Sequence, residues 1–388
     1  MMICKGIRAD TGVAVEISVD AGVLQGITPL ADLNSGTGKL PWISPGWLDL
    51  QVNGYGGYDF NAEEISFADI EGASRALHSR GVALYLPTVI TGSKERMLQG
   101  LGAISSYCRS HQHAWGSIAG IHLEGPYLSG EDGCRGAHPK EQMRDPDWAE
   151  FQAFQEAADG MISLVTLAPE REGSEAFIRR LVEAGIAVAI GHTKATAVQL
   201  DRAARAGASI STHLGNGSEP LLARHPNYIW DQLADDRLWA TFIPDGHHLA
   251  PSVLKSMLRA KQSKAVLVSD CVKFGGMPPG RYDSLIGGQV ELHADGRLNT
   301  AANPAILAGS AYSLDLGISS VLRYTDWLLP EAVEAVTSRP AQALGRPELG
   351  KLEPGSPANL TLFEYNEVTH QITIQETIVA GESVFRQT

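Results

Sequence analysis

Ile186-Ala187-Val188-Ala189-Ile190-Gly191-His192 and Ala208-Ser209-Ile210-Ser211-Thr212-His213 decide how this chain folds. Each is a short β-rich apolar run that stops at a histidine. Two further runs end on carboxylates: Ile118-Ala119-Gly120-Ile121-His122-Leu123 stops at Glu124, and Ala265-Val266-Leu267-Val268-Ser269 stops at Asp270. A fifth, Trp239-Ala240-Thr241-Phe242-Ile243, leads into Pro244-Asp245-Gly246-His247-His248. Runs of this kind read as strands buried on both faces, as in parallel sheets. Their ends at Ala168, His192, His213, Ile243 and Asp270 recur at intervals of about 20 to 30 residues, enough for one strand, one helix and two loops. Helical segments fill the intervals, at Ile65 to Ser79, Ser174 to Ala184, Ala195 to Ala206 and Ala250 to Lys261. The expected fold is therefore α/β, a (β/α)8 TIM barrel whose strand ends converge on one mouth.

Two histidines, a glutamate and an aspartate at that mouth describe a hydrolytic metal site. Catalytic zinc takes about three protein ligands and keeps one position open. Glu124, His192 and His213 supply one carboxylate and two imidazoles. The cation would lower the pKa of bound water from 15.7 towards about 7. Asp270 is then the expected general base, passing the proton to a leaving nitrogen. His138 and His247 are candidates to polarise a carbonyl or hold substrate. A single strand-end histidine reads more often as a hydrogen-bonded structural residue, but four such groups on four successive strands do not fit that reading. Other histidines do fit it. His111 and His113 follow a helix-like segment and are expected at the surface. His122 shares a face with Glu124, two residues away, but sits deeper and reads as packing.

The 388 residues are 44% hydrophobic and 19% charged, the profile of a globular protein with a sizeable core. A net charge of −13 and the lack of a Lys/Arg-rich run argue against a nucleic-acid partner. An anionic small substrate stays possible, since one local cation can outweigh the mean field inside a cleft. Met1-Met2-Ile3-Cys4-Lys5-Gly6 has no apolar leader character, and no stretch approaches membrane-spanning length. Cys4, Cys108, Cys134 and Cys271 lie far apart and read as reduced thiols in a cytoplasmic protein.

The chain ends have a different texture. Val13-Ala14-Val15-Glu16-Ile17-Ser18-Val19 alternates like a strand, with turns at Asp20-Ala21-Gly22 and Asn34-Ser35-Gly36, and β-like runs return at Asn359 to Phe363, Gln371 to Ile374 and Thr377 to Val379. Residues 1–43 plus 351–388 are expected to form one small β-sandwich domain beside a barrel of residues 44–350. Gly275-Gly276-Met277-Pro278-Pro279-Gly280 reads as a loop, either a lid over the mouth or a long turn.

Several segments together resemble the amidohydrolase superfamily, and within it the N-acetylglucosamine-6-phosphate deacetylase family. They include Pro45 to Gly54, His122-Leu123-Glu124-Gly125-Pro126, Val165 to Glu170, Gly191-His192-Thr193, Thr212-His213-Leu214, Asp245-Gly246-His247, Val268-Ser269-Asp270, Leu307-Ala308-Gly309-Ser310 and Gly350 to Leu360. The resemblance spans nearly the whole chain in the family's order. It implies removal of acetate from the 2-acetamido group of an amino-sugar 6-phosphate, with Glu124, His192 and His213 as metal ligands, Asp270 as acid/base and His138 polarising the carbonyl. It further implies substrate contacts at Asn216, Gly217, His247 and Leu307. Arg224 would reach the phosphate in a neighbouring subunit's site, implying a homodimer; a guanidinium suits bidentate phosphate contact.

The chain departs from the family pattern in two places. Many amidohydrolases carry HxH on the first strand; here Gln51 and Asn53 stand there, poor ligands assigned to substrate, so one divalent ion, Zn2+, is expected. A subset of the deacetylases shares this form. After His213, where the family usually has an aromatic, Asn, Ala and Met, the chain has Gly215-Asn216-Gly217-Ser218-Glu219. Glu219 would repel a phosphate, and the glycines widen the pocket, so an unphosphorylated or epimeric N-acetyl sugar is the alternative substrate. A non-catalytic barrel scaffold is a more distant one.

Overall fold

The computed structural model describes residues 1–30, 40–111, 116–284, 288–304 and 306–388; the expected turn at Asn34-Ser35-Gly36 and the placement of His113 lie outside them. Eight parallel strands make one sheet in chain order: β1 (Trp47–Val52), β2 (Val82–Ile90), β3 (Ile121–Glu124), β4 (Ile162–Leu167), β5 (Ala187–Ile190), β6 (Ile210–Ser211), β7 (Trp239–Phe242) and β8 (Ala265–Leu267). A parallel bridge between Val52 and Cys271 joins the last strand's end to the first and closes the barrel. A helix follows each strand, the first being Phe67–His78 and the last Leu314–Tyr324.

The strands alternate as a barrel requires. On β5, Val188 and Ile190 pack outward into the core shared with the helices, while Ala187 and Ala189 face the interior cluster with Leu48, Leu84, Leu164 and Ile210. Helix ends follow their signals. Ala197–Ala206 opens on a Thr196/Gln199 capping box and closes on Gly207 at φ 113°, where a side chain would be strained.

The chain ends pair into a second, seven-stranded sheet, ordered Glu382–Arg386, Ile372–Val379, Leu360–Tyr365, Trp42–Pro45, Met2–Arg8, Ala14–Asp20, Val23–Pro29. Only Met2–Arg8 and Trp42–Pro45 pair in parallel. The sheet curls so that Val15, Ile17 and Leu24 share one core with Leu360, Leu362 and Ile378. The Gly275–Gly280 segment packs against the Tyr55 ring. It leads into a small antiparallel sheet, Gly280–Ser284, Gly288–Leu292 and Leu298–Thr300, which has its own core around Phe274, Val290 and Leu298.

Candidate active site

Glu124 closes β3, His192 and His213 follow β5 and β6, and Asp270 follows β8. The four therefore stand on alternating and adjacent strands of the barrel, not on four successive ones. Three of them have left-handed backbone: φ is 48° at His192, 29° at His213 and 47° at Asp270. Such positions cost of order 1–3 kcal/mol each and persist only where surrounding structure enforces them. Around His213, its N–H donates to Thr241 Oγ1 at 2.6 Å.

The donor atoms of Glu124, His192 and His213 lie within 4.8 Å of one another, and all three residues are buried. Glu124 Oε1 is 3.2 Å from His192 Nε2 and 3.1 Å from His213 Nε2. Zinc bonds of about 2.0–2.2 Å in a tetrahedron separate ligand atoms by roughly 3.3–3.6 Å, so the spacing suits a cation between them. His192 Nδ1 donates to Cys134 O, 2.8 Å away, which turns its Nε2 towards the Glu124 carboxylate. At 3.2 Å that pair of atoms is bridged by a proton or by a cation. His213 Nδ1 has no partner. Burial opposes charge on Glu124 and His213, yet hydrogen bonds from His192 and then His213 hold Glu124 well below the usual carboxylate range, and the bond to Glu124 raises His213.

Room for the His192 ring is made by two glycines. A Cβ on Gly217 would sit 2.6 Å from His192 Nδ1, and one on Gly136 3.0 Å from its Cε1. The Gly217 departure thus serves close approach to the His192 ring.

These residues open on a cavity of about 430 Å³, also lined by Asn53, His138, Asn216, Gly217, Asp270 and Leu307. Desolvation and then the charge of Glu124 raise Asp270 to about 6, while Asn53 Nδ2 donates to its Oδ1 at 2.7 Å. His138 is buried against the His192 ring, and desolvation holds it neutral, at about 3. Gln51 is buried at the foot of the site, outside the lining, with its Nε2 unpartnered.

Two residues expected to contact substrate, Gln51 and His247, do not line this cavity. Arg224, expected to serve a neighbouring subunit's site, is exposed and lies outside it. His247 faces a separate cavity of about 690 Å³, with Nε2 3.2 Å from Asp295 O. His248 lines the site instead. The turn explains the exchange: Asp245 Oδ1 accepts both the His247 and His248 N–H groups at 2.8 Å, and Asp245 Oδ2 accepts from His248 Nδ1 at 2.7 Å. The histidine doublet was visible in the sequence, but its facing was not. Lys273 and Asp59, paired at 3.4 Å on the cavity wall, carried no sequence signal. Glu219 is turned away from the cavity; Tyr228 Oη donates to its carboxylate and Lys194 lies 3.6 Å off, so the expected repulsion is absorbed elsewhere. His122 is buried as expected, and His111 is exposed.

A closed eight-stranded barrel with this donor set at its C-terminal mouth defines an amidohydrolase, and the Amidohydrolase family model matches residues 326–385. An N-acetylgalactosamine-6-phosphate deacetylase of Escherichia coli O157:H7 is 31% identical over 93% of both chains. An N-acetylglucosamine-6-phosphate deacetylase of Bacillus subtilis is 32% identical over 88% of this chain and 84% of the relative. The crystal structure of N-acetyl-D-glucosamine-6-phosphate deacetylase from Mycobacterium smegmatis superposes with a TM-score of 0.87 at 28% identity, covering 99% and 100% of the two chains. The chain belongs to the N-acetylglucosamine-6-phosphate deacetylase family.

Proposed function

We propose that this enzyme hydrolyses the acetamide of N-acetylglucosamine 6-phosphate, releasing acetate and glucosamine 6-phosphate. The observation that carries the reading is the buried Glu124/His192/His213 cluster sharing one cavity with Asp270, in a chain of this family. Glu124, His192 and His213 would hold one divalent ion, Zn2+ by its preference for this donor set. Bound there, the ion supplies Lewis acidity, polarising a carbonyl and acidifying water. Asp270 takes the proton of the attacking water and delivers it to the amide nitrogen as the C–N bond breaks. Neutral His138 donates an N–H to the carbonyl oxygen, where negative charge develops.

Asn53 holds Asp270 in place. Asn216, Gly217 and Leu307 line the sugar's space, and His248 takes the contact role the sequence suggested for His247. Arg224, exposed outside its own cavity, would serve the neighbouring subunit of a homodimer. The working unit is the barrel of residues 44–350, with residues 1–43 plus 351–388 as its β-domain. Among the described residues no helix is long and apolar enough to cross a membrane. Four unpaired, buried cysteines support a cytoplasmic setting.

A second reading, the C4 epimer as substrate, is favoured by the galactosamine-type relative. Acetate release by zinc-loaded protein decides between them, measured on both epimeric 6-phosphates and on unphosphorylated N-acetylglucosamine. The highest kcat/KM is expected on N-acetylglucosamine 6-phosphate. Preference for the galacto epimer, or indifference to the phosphate, would replace the substrate while leaving the chemistry.

A further inference from the structure

Directly beneath Glu124, His192 and His213 lies a polar layer inside the barrel. His122 on β3, Thr166 on β4 and Thr212 at the end of β6 are all buried. His122 Nδ1 is 3.1 Å from Leu50 O on β1, its Nε2 is 2.8 Å from Thr166 Oγ1, and Thr166 Oγ1 is 2.8 Å from Thr212 Oγ1. The direction of every bond is forced. Leu50 O can only accept, so Nδ1 carries the proton; neutral Nε2 can then only accept, so Thr166 donates to it. Thr166 has one hydrogen, already committed, so Thr212 donates to Thr166. The chain runs one way, from β6 through β4 to β3 and β1.

This layer crosses β5, which lies between β4 and β6, and Gly191 is what lets it cross. A Cβ there would sit 2.7 Å from Thr166 Cγ2 and 2.8 Å from Thr212 Cβ, closer than side chains approach. Each participant adjoins a donor residue: Gly191 precedes His192, Thr212 precedes His213, and His122 shares a face with Glu124. Thr166 also reaches upward through its backbone, its carbonyl accepting the N–H of Gly125, next to Glu124, at 3.1 Å. The layer therefore grips the chain immediately before the two histidines with left-handed backbone, where enforcement is needed.

We propose that His122, Thr166 and Thr212, spanning the gap at Gly191, are positioning residues that set the spacing of Glu124, His192 and His213 for a divalent cation. This rests on the proposed ligand role of those three. Cobalt(II) added to metal-stripped protein, with affinity read by chelator competition and geometry by the visible absorption of the bound ion, tests it. Thr166→Val keeps the shape but removes the donor to His122 and the acceptor for Thr212; a 10–100-fold loss of affinity and an altered spectrum are expected. Thr212→Val removes only the terminal donor and should lose less. Thr166→Ser should restore both readouts, which a purely packing role would not require. Cobalt affinity and spectrum unchanged in both valine variants, on a parent chain that binds one equivalent, overturn the layer's role alone. A parent chain that binds no stoichiometric cobalt overturns the ligand assignment, and the layer's role with it.

Discussion

The two arcs of the barrel mouth share one repeating unit yet are furnished differently. Across β3, β5 and β6 the side chains form a compact donor set, with Glu124 Oε1 within 3.2 Å of both imidazoles and His192 oriented by Cys134 O. Across β8 and β1 stand Asp270 and neutral amides. There Asn53 holds Asp270, while Gln51 Nε2, Asn53 Oδ1 and Asp49 Oδ2 lack partners. Asp49 ties these strands by accepting from the Ser269 and Gln51 N–H groups, and burial pushes it up to about 7. The difference teaches a division of labour: one arc is suited to a cation, the other to moving a proton beside it.

Exchanging charge on the cation arc should have the largest effect. Glu124→Gln is expected to abolish stoichiometric zinc and reduce turnover to background, read by metal analysis and acetate release. On the other arc, Asp270→Asn should lower kcat by about 10²–10⁴-fold while metal content stays at one equivalent. Loss of metal in that variant would break the division. Asn53→Ala removes a hydrogen bond to a charged group, worth about 1.5–3 kcal/mol. A fall in kcat of about 10–100-fold at unchanged metal content is expected. Gly217→Ala places a methyl 2.6 Å from His192 Nδ1, and should weaken zinc about tenfold by chelator competition with kcat of the loaded enzyme nearly retained.

The smallest effect separates the mouth from the fold as a whole. His78, buried with Nε2 2.9 Å from Ser117 Oγ, is depressed by burial from 6.5 to about 4. The unfolded chain takes up a proton as pH falls below 6.5, and the folded chain does so only near 4. The stability this group contributes is thus complete above 6.5 and declines with acid, by about 2 kcal/mol on reaching pH 5. Urea unfolding at pH 7.5 and 5 should show this loss in the parent and a smaller one in His78→Gln. An equal loss in both would assign acid sensitivity to the mouth instead.

The barrel, its strand ends and the four metal-capable residues were legible because buried parallel strands are short apolar runs and each ended on a chemically distinctive side chain. Helices such as Phe67–His78 and Pro251–Lys261 lie inside the expected spans, since apolar periodicity marks them. The facing of His247 and His248 was not legible. Both follow the same strand, and which one enters the cavity depends on how Asp245 folds the turn. Lys273 and Asp59 escaped notice because their pairing joins loops distant in the chain.

Local chemistry alone therefore determined the repeat, the alternation that buries each strand and the identity of the donor groups, because these depend on neighbours within a few residues. Which donors meet, which histidine faces in and how a glycine opens β5 to a hydrogen-bonded layer were decided only by tertiary structure. Those outcomes depend on distances between strands, and no stretch of sequence encodes them by itself.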